Sequence, residues 1–80
     1  MFNNKTIIIT GGTGSFGKNF THLLLRKYKP KKIIIFSRDE MKQFEMEQKL
    51  SVKKYPCIRY FIGDVRDKDR LDIAFNGVDY

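Results

Sequence analysis

A run of three isoleucines, Ile7–Ile9, leads through Thr10 into Gly11-Gly12-Thr13-Gly14-Ser15-Phe16-Gly17, and a stretch with helical spacing follows at once. Nothing else in the chain restricts its fold so tightly. Glycine lets two backbones approach closely and reaches conformations that side chains disfavour. Set between a strand and a helix, such a turn offers the free N–H groups and positive dipole end of the helix to an anion. The glycines can be read in two registers. Gly12 to Gly17 spells G-x-G-x-x-G, and Gly11 to Gly17 spells G-x-x-G-x-x-G. Both cradle a pyrophosphate, and they point to different enzyme groups. A tight turn without a ligand needs fewer glycines.

The rest of the chain repeats the same alternation. Thr6 to Thr10 reads as a short buried parallel strand. Phe16, Phe20, Leu23, Leu24 and Tyr28 recur near helical spacing, which predicts an amphipathic helix from Ser15 to Lys27, stopped by Pro30. Lys32 to Ser37 reads as a second buried strand. Ser37 and Glu40 have the spacing of a capping box. The helix they would open carries Met41, Phe44 and Met46 and runs to about Leu50. Beyond Pro56, Cys57 to Asp64 is expected to be a third strand. Asp67 should cap a third helix with Leu71, Ala74 and Phe75 on its apolar side, ended by Asn76-Gly77. Val78-Asp79-Tyr80 resembles a fourth strand just beginning. The prediction is an α/β chain: a Rossmann-like parallel sheet with flanking helices, first half only, in the order βαβαβα. No linker, repeat or low-complexity tract interrupts it.

Composition excludes several classes. With 41% hydrophobic and 31% charged residues, neither disorder nor a coiled coil is expected. The net charge of +7 raises the question of polyanionic partners. The cations are scattered, however, and the densest group, Arg26 to Lys32, falls where a helix should end and cations are favoured. No aromatic stacking platform accompanies them, so nucleic-acid binding is not expected. A lone Cys57 and a lone His22 give neither a disulfide nor a metal site. No secretory signal or membrane-length apolar run is seen, and a cytoplasmic location is expected.

Two further segments carry chemistry. In NAD-binding folds an acidic residue about 20 positions past the turn holds the ribose hydroxyls. Counting on from Gly17 reaches Ser37, then Arg38 and Asp39. A hydroxyl followed by a guanidinium suits a 2′-phosphate, because arginine makes forked, charge-assisted hydrogen bonds to it. This favours NADP, while Asp39 keeps NAD open. Lys42 would add positive charge. In "GDVRD", Gly63 to Asp67, Asp64 is placed to accept from an adenine amino group and the Val65 backbone to touch the ring. A solvated turn followed by a helix cap is the competing reading.

"TGGTGSFG", "SRDE" and "FIGDVRD" together resemble the N-terminal part of the extended short-chain dehydrogenases/reductases. More closely, nearly the whole chain resembles the inverting UDP-N-acetylglucosamine 4,6-dehydratases of bacterial surface-sugar biosynthesis. "SRDEMKQFEM" is the most specific piece, since the fold alone does not require it. The resemblance implies an NADP-dependent lyase. In that family hydride leaves sugar C4, water is lost across C5 and C6, hydride returns to C6, and C5 is inverted. The product feeds pseudaminic acid or related sugars for flagellin or capsule. By the same resemblance all 80 residues are the N-terminal portion of an NADP-binding Rossmann domain, without the substrate domain. Gly11, Thr13, Gly14, Ser15, Phe16 and Gly17 would serve the pyrophosphate. Ser37, Arg38, Asp39, Glu40, Met41 and Lys42 would surround the 2′-phosphate and adenosine, with Asp64 and Val65 at the adenine. The T-G-x-x-G-x-x-G register, Thr10-Gly11-Gly14-Gly17, then fits.

No catalytic residue is assigned. The family's Tyr-x-x-x-Lys pair has no counterpart, since Tyr60 is followed four residues on by Asp64 and no lysine follows Tyr80. A UDP-sugar would be a partner only of the full-length enzyme, and relatives tend to form homo-oligomers. Two other functions stay open: a non-catalytic NAD(P)-binding module, and another extended epimerase or reductase acting on a nucleotide sugar.

Overall fold

β1 (Thr6–Thr10), α1 (Ser15–Lys27), β2 (Lys32–Ser37), α2 (Glu40–Lys49), β3 (Ile58–Ile62) and α3 (Lys68–Phe75) alternate in a computed structural model that describes residues 2–80. The three strands form a parallel sheet in the order β1-β2-β3. Ile7, Ile8 and Ile9 lie beside Ile33, Ile34 and Ile35, and Ile33 lies beside Ile58. Parallel neighbours need a crossover, which α1 and α2 supply. Two right-handed crossovers stepping the same way put both helices on one face of the sheet. There Ile7, Ile9, Leu24, Ile33, Ile35, Met46, Leu50 and Ile58 make one buried cluster.

Strand side chains alternate between faces, so Phe36 points to the opposite side. Its ring stacks on Phe61 at 5.6 Å. The Arg70 guanidinium, carried by α3, lies 4.3 Å from the Phe61 ring centre. Beyond α3 the chain returns to the free edge of β1. The Asp79 N–H donates to the Thr6 carbonyl at 2.8 Å, and the Ile8 N–H donates to the Tyr80 carbonyl at 3.0 Å. The Asp79 carboxylate accepts from the Thr6 N–H at 2.9 Å. The expected fourth strand thus begins beside β1, away from β2, as a doubly wound sheet requires, although its residues lack regular strand pairing.

Several expectations are corrected. Asp39, not Ser37, caps α2: the Lys42 N–H donates to Asp39 Oδ1 at 3.0 Å, and Glu40 is the first helical residue. Ser37 instead completes β2, paired with Ile62. The strand ladder takes the residue that the local capping pattern had claimed. The third strand is shorter than predicted, because Cys57 and Gly63 flank it and contribute only one bond each, to the Ile33 N–H and the Ser37 carbonyl. The inward face of α2 also differs. Met41 and Phe44 are exposed, and Gln43, Met46 and Leu50 are buried. A polar residue occupies an inward position, which shifts the apparent stripe. On α1, likewise, Phe16 is exposed while Gly17, Thr21 and Leu24 face inward. On α3, Ala74 is buried and Phe75 largely exposed.

The Asp67 cap is as expected, with the Arg70 N–H donating to its Oδ1 at 3.2 Å. Gly77 takes φ 77° just past α3. Arg26 and Lys27 occupy the last turn of α1. Cys57 is a half-buried free thiol whose pKa is raised by burial. Among the described residues no helix is long and apolar enough to cross a membrane.

Leu24 is fully buried, so Leu24→Ala is expected to lose about 2–5 kcal/mol in urea unfolding. Phe44→Ala, on the exposed side of α2, should stay within about 0.5 kcal/mol. A second expectation concerns alkaline pH. The Tyr60 hydroxyl donates to the Leu50 carbonyl at 2.6 Å. Burial, and secondarily the Glu47 carboxylate, pushes its pKa from 10.0 up to about 12. A folded-state pKa raised above the unfolded one gives stability that is intact below pH 10 and is lost as pH rises through about 12. Melting temperature followed across that window should fall, and Tyr60→Phe should flatten the fall.

Candidate functional site

The turns after β1, β2 and β3 all lie at the C-terminal edge of the sheet and enclose one cleft of about 500 Å³. Ligands of open α/β sheets bind at this edge. The first turn is shaped by its glycines, each for a different reason. Gly11 has φ 63°, a conformation that side chains rarely adopt. The Gly14 N–H donates back to the Gly11 carbonyl at 3.1 Å, and the Gly12 N–H reaches the Phe36 carbonyl at 3.4 Å. A Cβ on Gly17 would lie 2.5 Å from the Gly12 carbonyl oxygen, and one on Gly12 would lie 2.8 Å from Ile35 Cγ2. The helix start is therefore pressed onto the turn, and the turn onto the sheet. A Cβ on Gly14 would meet nothing nearer than the Gly11 oxygen at 3.4 Å, an ordinary contact. Gly14 answers to no demand from within the chain.

Gly14 is also the N-cap of α1. It offers no side-chain cap, and the first turn carries no acidic residue. The first N–H groups of the helix thus lack the side-chain acceptor that usually satisfies them.

The predicted site residues divide on inspection. Gly11 and Thr13 line the cleft, as do Ser37, Arg38, Asp39 and Lys42, and so do Asp64 and Val65. Gly14, Ser15, Phe16 and Gly17 form the helix start beside it, and Glu40 and Met41 begin α2 outside its lining. Phe16 is 74% exposed, its ring 5.8 Å from Phe20. The cleft also takes in Phe36, Gly63 and Arg66, which sequence reasoning left out. A Cβ on Gly63 would come within 2.8 Å of the Phe36 ring and 2.9 Å of Arg70 Cγ. The signals available were a glycine at a strand end and an arginine two residues past Asp64.

Asp64 organises the charge. Arg66 grips it with Nη2 at 2.7 Å from Oδ2 and Nε at 3.2 Å from both oxygens. The Arg66 N–H donates to Oδ1 at 2.9 Å. Arg38 Nη1 stands 3.6 Å from Oδ2. These contacts, the Arg66 side chain foremost, hold the Asp64 carboxyl well below the usual carboxylate range, and the pair raises Arg66 in turn. Asp64 therefore stays an acceptor throughout neutral pH. Arg38, Lys42 and Arg66 face two carboxylates, Asp39 and Asp64, and the Asp39 carboxylate is already engaged as a cap. The cleft is net positive, with bare helix N–H groups beside it. Such a cleft suits a phosphorylated nucleoside.

Residues 7–80 match the model of the family described as "Polysaccharide biosynthesis protein". The chain is 66% identical over its whole length to the UDP-N-acetylglucosamine 4,6-dehydratase (inverting) of Campylobacter jejuni and covers 23% of that protein. It is 47% identical over an 83-residue alignment to the UDP-glucose 4-epimerase of Rickettsia bellii, covering 24% of it. Among solved structures, 99% of the chain superposes on 24% of Pen from Bacillus thuringiensis with TM-score 0.90 and 40% identity. The NADPH-bound carbonyl reductase from chicken fatty liver shares the fold, with TM-score 0.70 at 22% identity over 95% of this chain and 30% of that one. The chain thus spans about a quarter of the curated relatives' length. It belongs to the polysaccharide biosynthesis protein family.

The glycine contacts predict a contrast in stability. Gly17→Ala drives a methyl group into backbone and should lower the melting temperature sharply. Gly14→Ala makes only an ordinary contact with the Gly11 oxygen at φ −74°, and should change stability by less than about 1 kcal/mol. Thermal unfolding of the two variants followed by circular dichroism checks this; equal losses would refute the separation.

Proposed function

We propose that these residues are the NADP-binding part of a nucleotide-sugar 4,6-dehydratase that acts, in the full-length enzyme, on UDP-N-acetylglucosamine with inversion at C5. The observation that carries the reading is the convergence of three turns on one cleft, with an uncapped helix start on one side and Ser37, Arg38 and Lys42 on another. The 66% identity to an inverting dehydratase supports the reaction class. The lower match to a UDP-glucose 4-epimerase keeps a second sugar-nucleotide reaction in view.

In this reading the backbone N–H groups of Ser15, Phe16 and Gly17, with Thr13, receive the pyrophosphate. Gly11 shapes the turn, and Gly14 leaves the phosphates room to approach. Ser37, Arg38 and Lys42 surround the 2′-phosphate, with Glu40 and Met41 flanking it on the first turn of α2. Asp39 is tied to the Lys42 N–H, which leaves it less able to bind the ribose hydroxyls of NAD. Asp64 accepts from the adenine amino group and Val65 lies against the ring. The nicotinamide of a dinucleotide bound here supplies reversible hydride acceptance.

In this reading Tyr60 is not the proton-transfer group. The Tyr60 hydroxyl is engaged with the Leu50 carbonyl and its pKa is pushed up to about 12, away from what a general base at neutral pH requires. Turnover would need further residues to orient the sugar, so the eighty residues alone are proposed to be inactive. The proposed setting is the bacterial cytoplasm, on a route to pseudaminic acid or related surface sugars, with the whole enzyme a lyase that self-associates.

Titration of the 80-residue chain with NADP and with NAD is expected to show NADP binding tighter by roughly tenfold or more, as one charge-assisted contact supplies. Arg38→Ala should remove most of that preference. Equal affinities in the wild-type chain would overturn the assignment of NADP. Dehydration of UDP-N-acetylglucosamine by the same chain would overturn the assignment of cofactor binding alone.

A further inference from the structure

Gln43 is 3% exposed on the inward face of α2, where its neighbours in register, Met46 and Leu50, are apolar. A buried amide is costly unless its hydrogen bonds are made, and this one makes them to the ends of two strands. Its Nε2 lies 3.0 Å from the Phe61 carbonyl oxygen, 3.3 Å from that of Ser37 and 3.4 Å from that of Ile35. Carbonyl oxygens only accept. Three of them around one atom require the nitrogen end of the amide there, and exclude the oxygen end. The remaining partner is Ser37 Oγ at 3.1 Å.

That last contact has a consequence for the cleft. An amide nitrogen only donates and carries two protons. Its two shortest contacts are the Phe61 carbonyl at 3.0 Å and Ser37 Oγ at 3.1 Å, so Ser37 Oγ accepts one of those protons. The hydroxyl proton of Ser37 then finds no acceptor in the protein among the described residues. Ser37 is 7% exposed and lines the cleft next to Arg38 and Lys42. A nearly buried hydroxyl with an unclaimed proton, flanked by two cations, suits a group that accepts and cannot donate. A phosphate monoester dianion is such a group. A ribose hydroxyl donates or accepts and would tolerate either polarity at Ser37.

We propose that Gln43 is a positioning residue that fixes the polarity of the Ser37 hydroxyl, making it a hydrogen-bond donor to a 2′-phosphate on the bound adenosine. The inference rests on the NADP reading of the cleft and deepens it. Gln43 also ties the ends of β2 and β3 together, and that clamp serves any nucleotide alike. The polarity effect is confined to ligands that carry the 2′-phosphate.

Two probes isolate this edge of the site: adenosine 2′,5′-bisphosphate and adenosine 5′-monophosphate, each titrated against the 80-residue chain. The quantity read is the ratio of their affinities, from which any general loosening of the cleft cancels. Ser37→Ala and Gln43→Met are each expected to lower that ratio by roughly tenfold, the scale of one hydrogen bond to a charged group. The double variant should lower it no further, because both changes act through the same Ser37 hydroxyl. If Gln43→Met weakens both probes equally, or if the two losses multiply in the double variant, Gln43 is only a clamp and the proposal fails. Should Gln43→Met not fold, Ser37→Ala decides: a tenfold fall in the ratio supports the hydroxyl as donor, and an unchanged ratio overturns it. A wild-type ratio of one is a separate failure, since it refutes the NADP reading and removes this inference with it.

Discussion

The contact between Gly17 and the backbone of Gly12 sets the geometry on which the cleft depends. With no Cβ on Gly17, the first turn of α1 closes onto the turn that leaves β1, and Gly12 in turn sits against Ile35 of β2. Helix, turn and sheet are thereby held at van der Waals distance. The same closeness lets Thr21 and Leu24, one and two turns further along α1, reach full burial against the sheet. The N–H groups at the helix start are consequently held at the strand ends, where their partial positive charge faces the cleft. Folding and the proposed anion site draw on one contact. This explains why the glycines of a single turn divide into those the fold requires and one, Gly14, that it does not.

Charge in the cleft is arranged on similarly short paths. Asp64 draws Arg66 into a fork and brings Arg38 near. The cations are thus gathered before any ligand arrives, which lowers the ordering cost of binding. Arg38 has the weaker hold on Asp64, at 3.6 Å against 2.7 Å for Arg66. It is the cation freer to turn toward a phosphate, while Arg66 keeps the carboxylate charged. Asp39 shows the opposite economy. As the cap of α2 it satisfies a helix N–H through Oδ1, so one oxygen of the carboxylate that a ribose would need is committed to the fold.

Much of this was legible in the sequence, because parallel strands and their crossovers announce themselves. The isoleucine run of β2 is buried on both faces and that of β1 on one, with Ile8 half-buried, and the bounds expected for β1, α1 and β2 agree with the structure. The grouping of Gly11, Thr13, Ser37, Arg38, Asp39, Lys42, Asp64 and Val65 around one cleft followed from the rule that strand ends share an edge. What was not legible depended on competition between neighbours. Ser37 and Asp39 are both good caps, and only the pairing of Ser37 with Ile62 decides between them. Gln43 reads as a surface residue on any hydropathy pattern. Its burial depends on carbonyl groups from Ile35, Ser37 and Phe61, and Phe61 lies on another strand. Arg66 was passed over because an arginine in a turn is usually solvated, and its fork on Asp64 appears only once the turn is built.

A division of labour follows from where these contacts lie. Every group that shapes the cleft comes from the ends of three adjacent strands and the first turn of the helices after them, within sequence distances that local geometry can fix. Phosphate and ribose recognition, as proposed, would therefore draw on a short stretch of chain, and would place no constraint on the chemistry performed at the far end of a dinucleotide. Relatives named for different reactions on nucleotide sugars match this stretch, at 66% identity for the dehydratase and 47% for the epimerase. On the proposed reading, selection on this portion would act on how firmly and how selectively a cofactor is held, and that selectivity would come down to the hydroxyl of Ser37, the guanidinium of Arg38 and the buried amide of Gln43 beside the first of them.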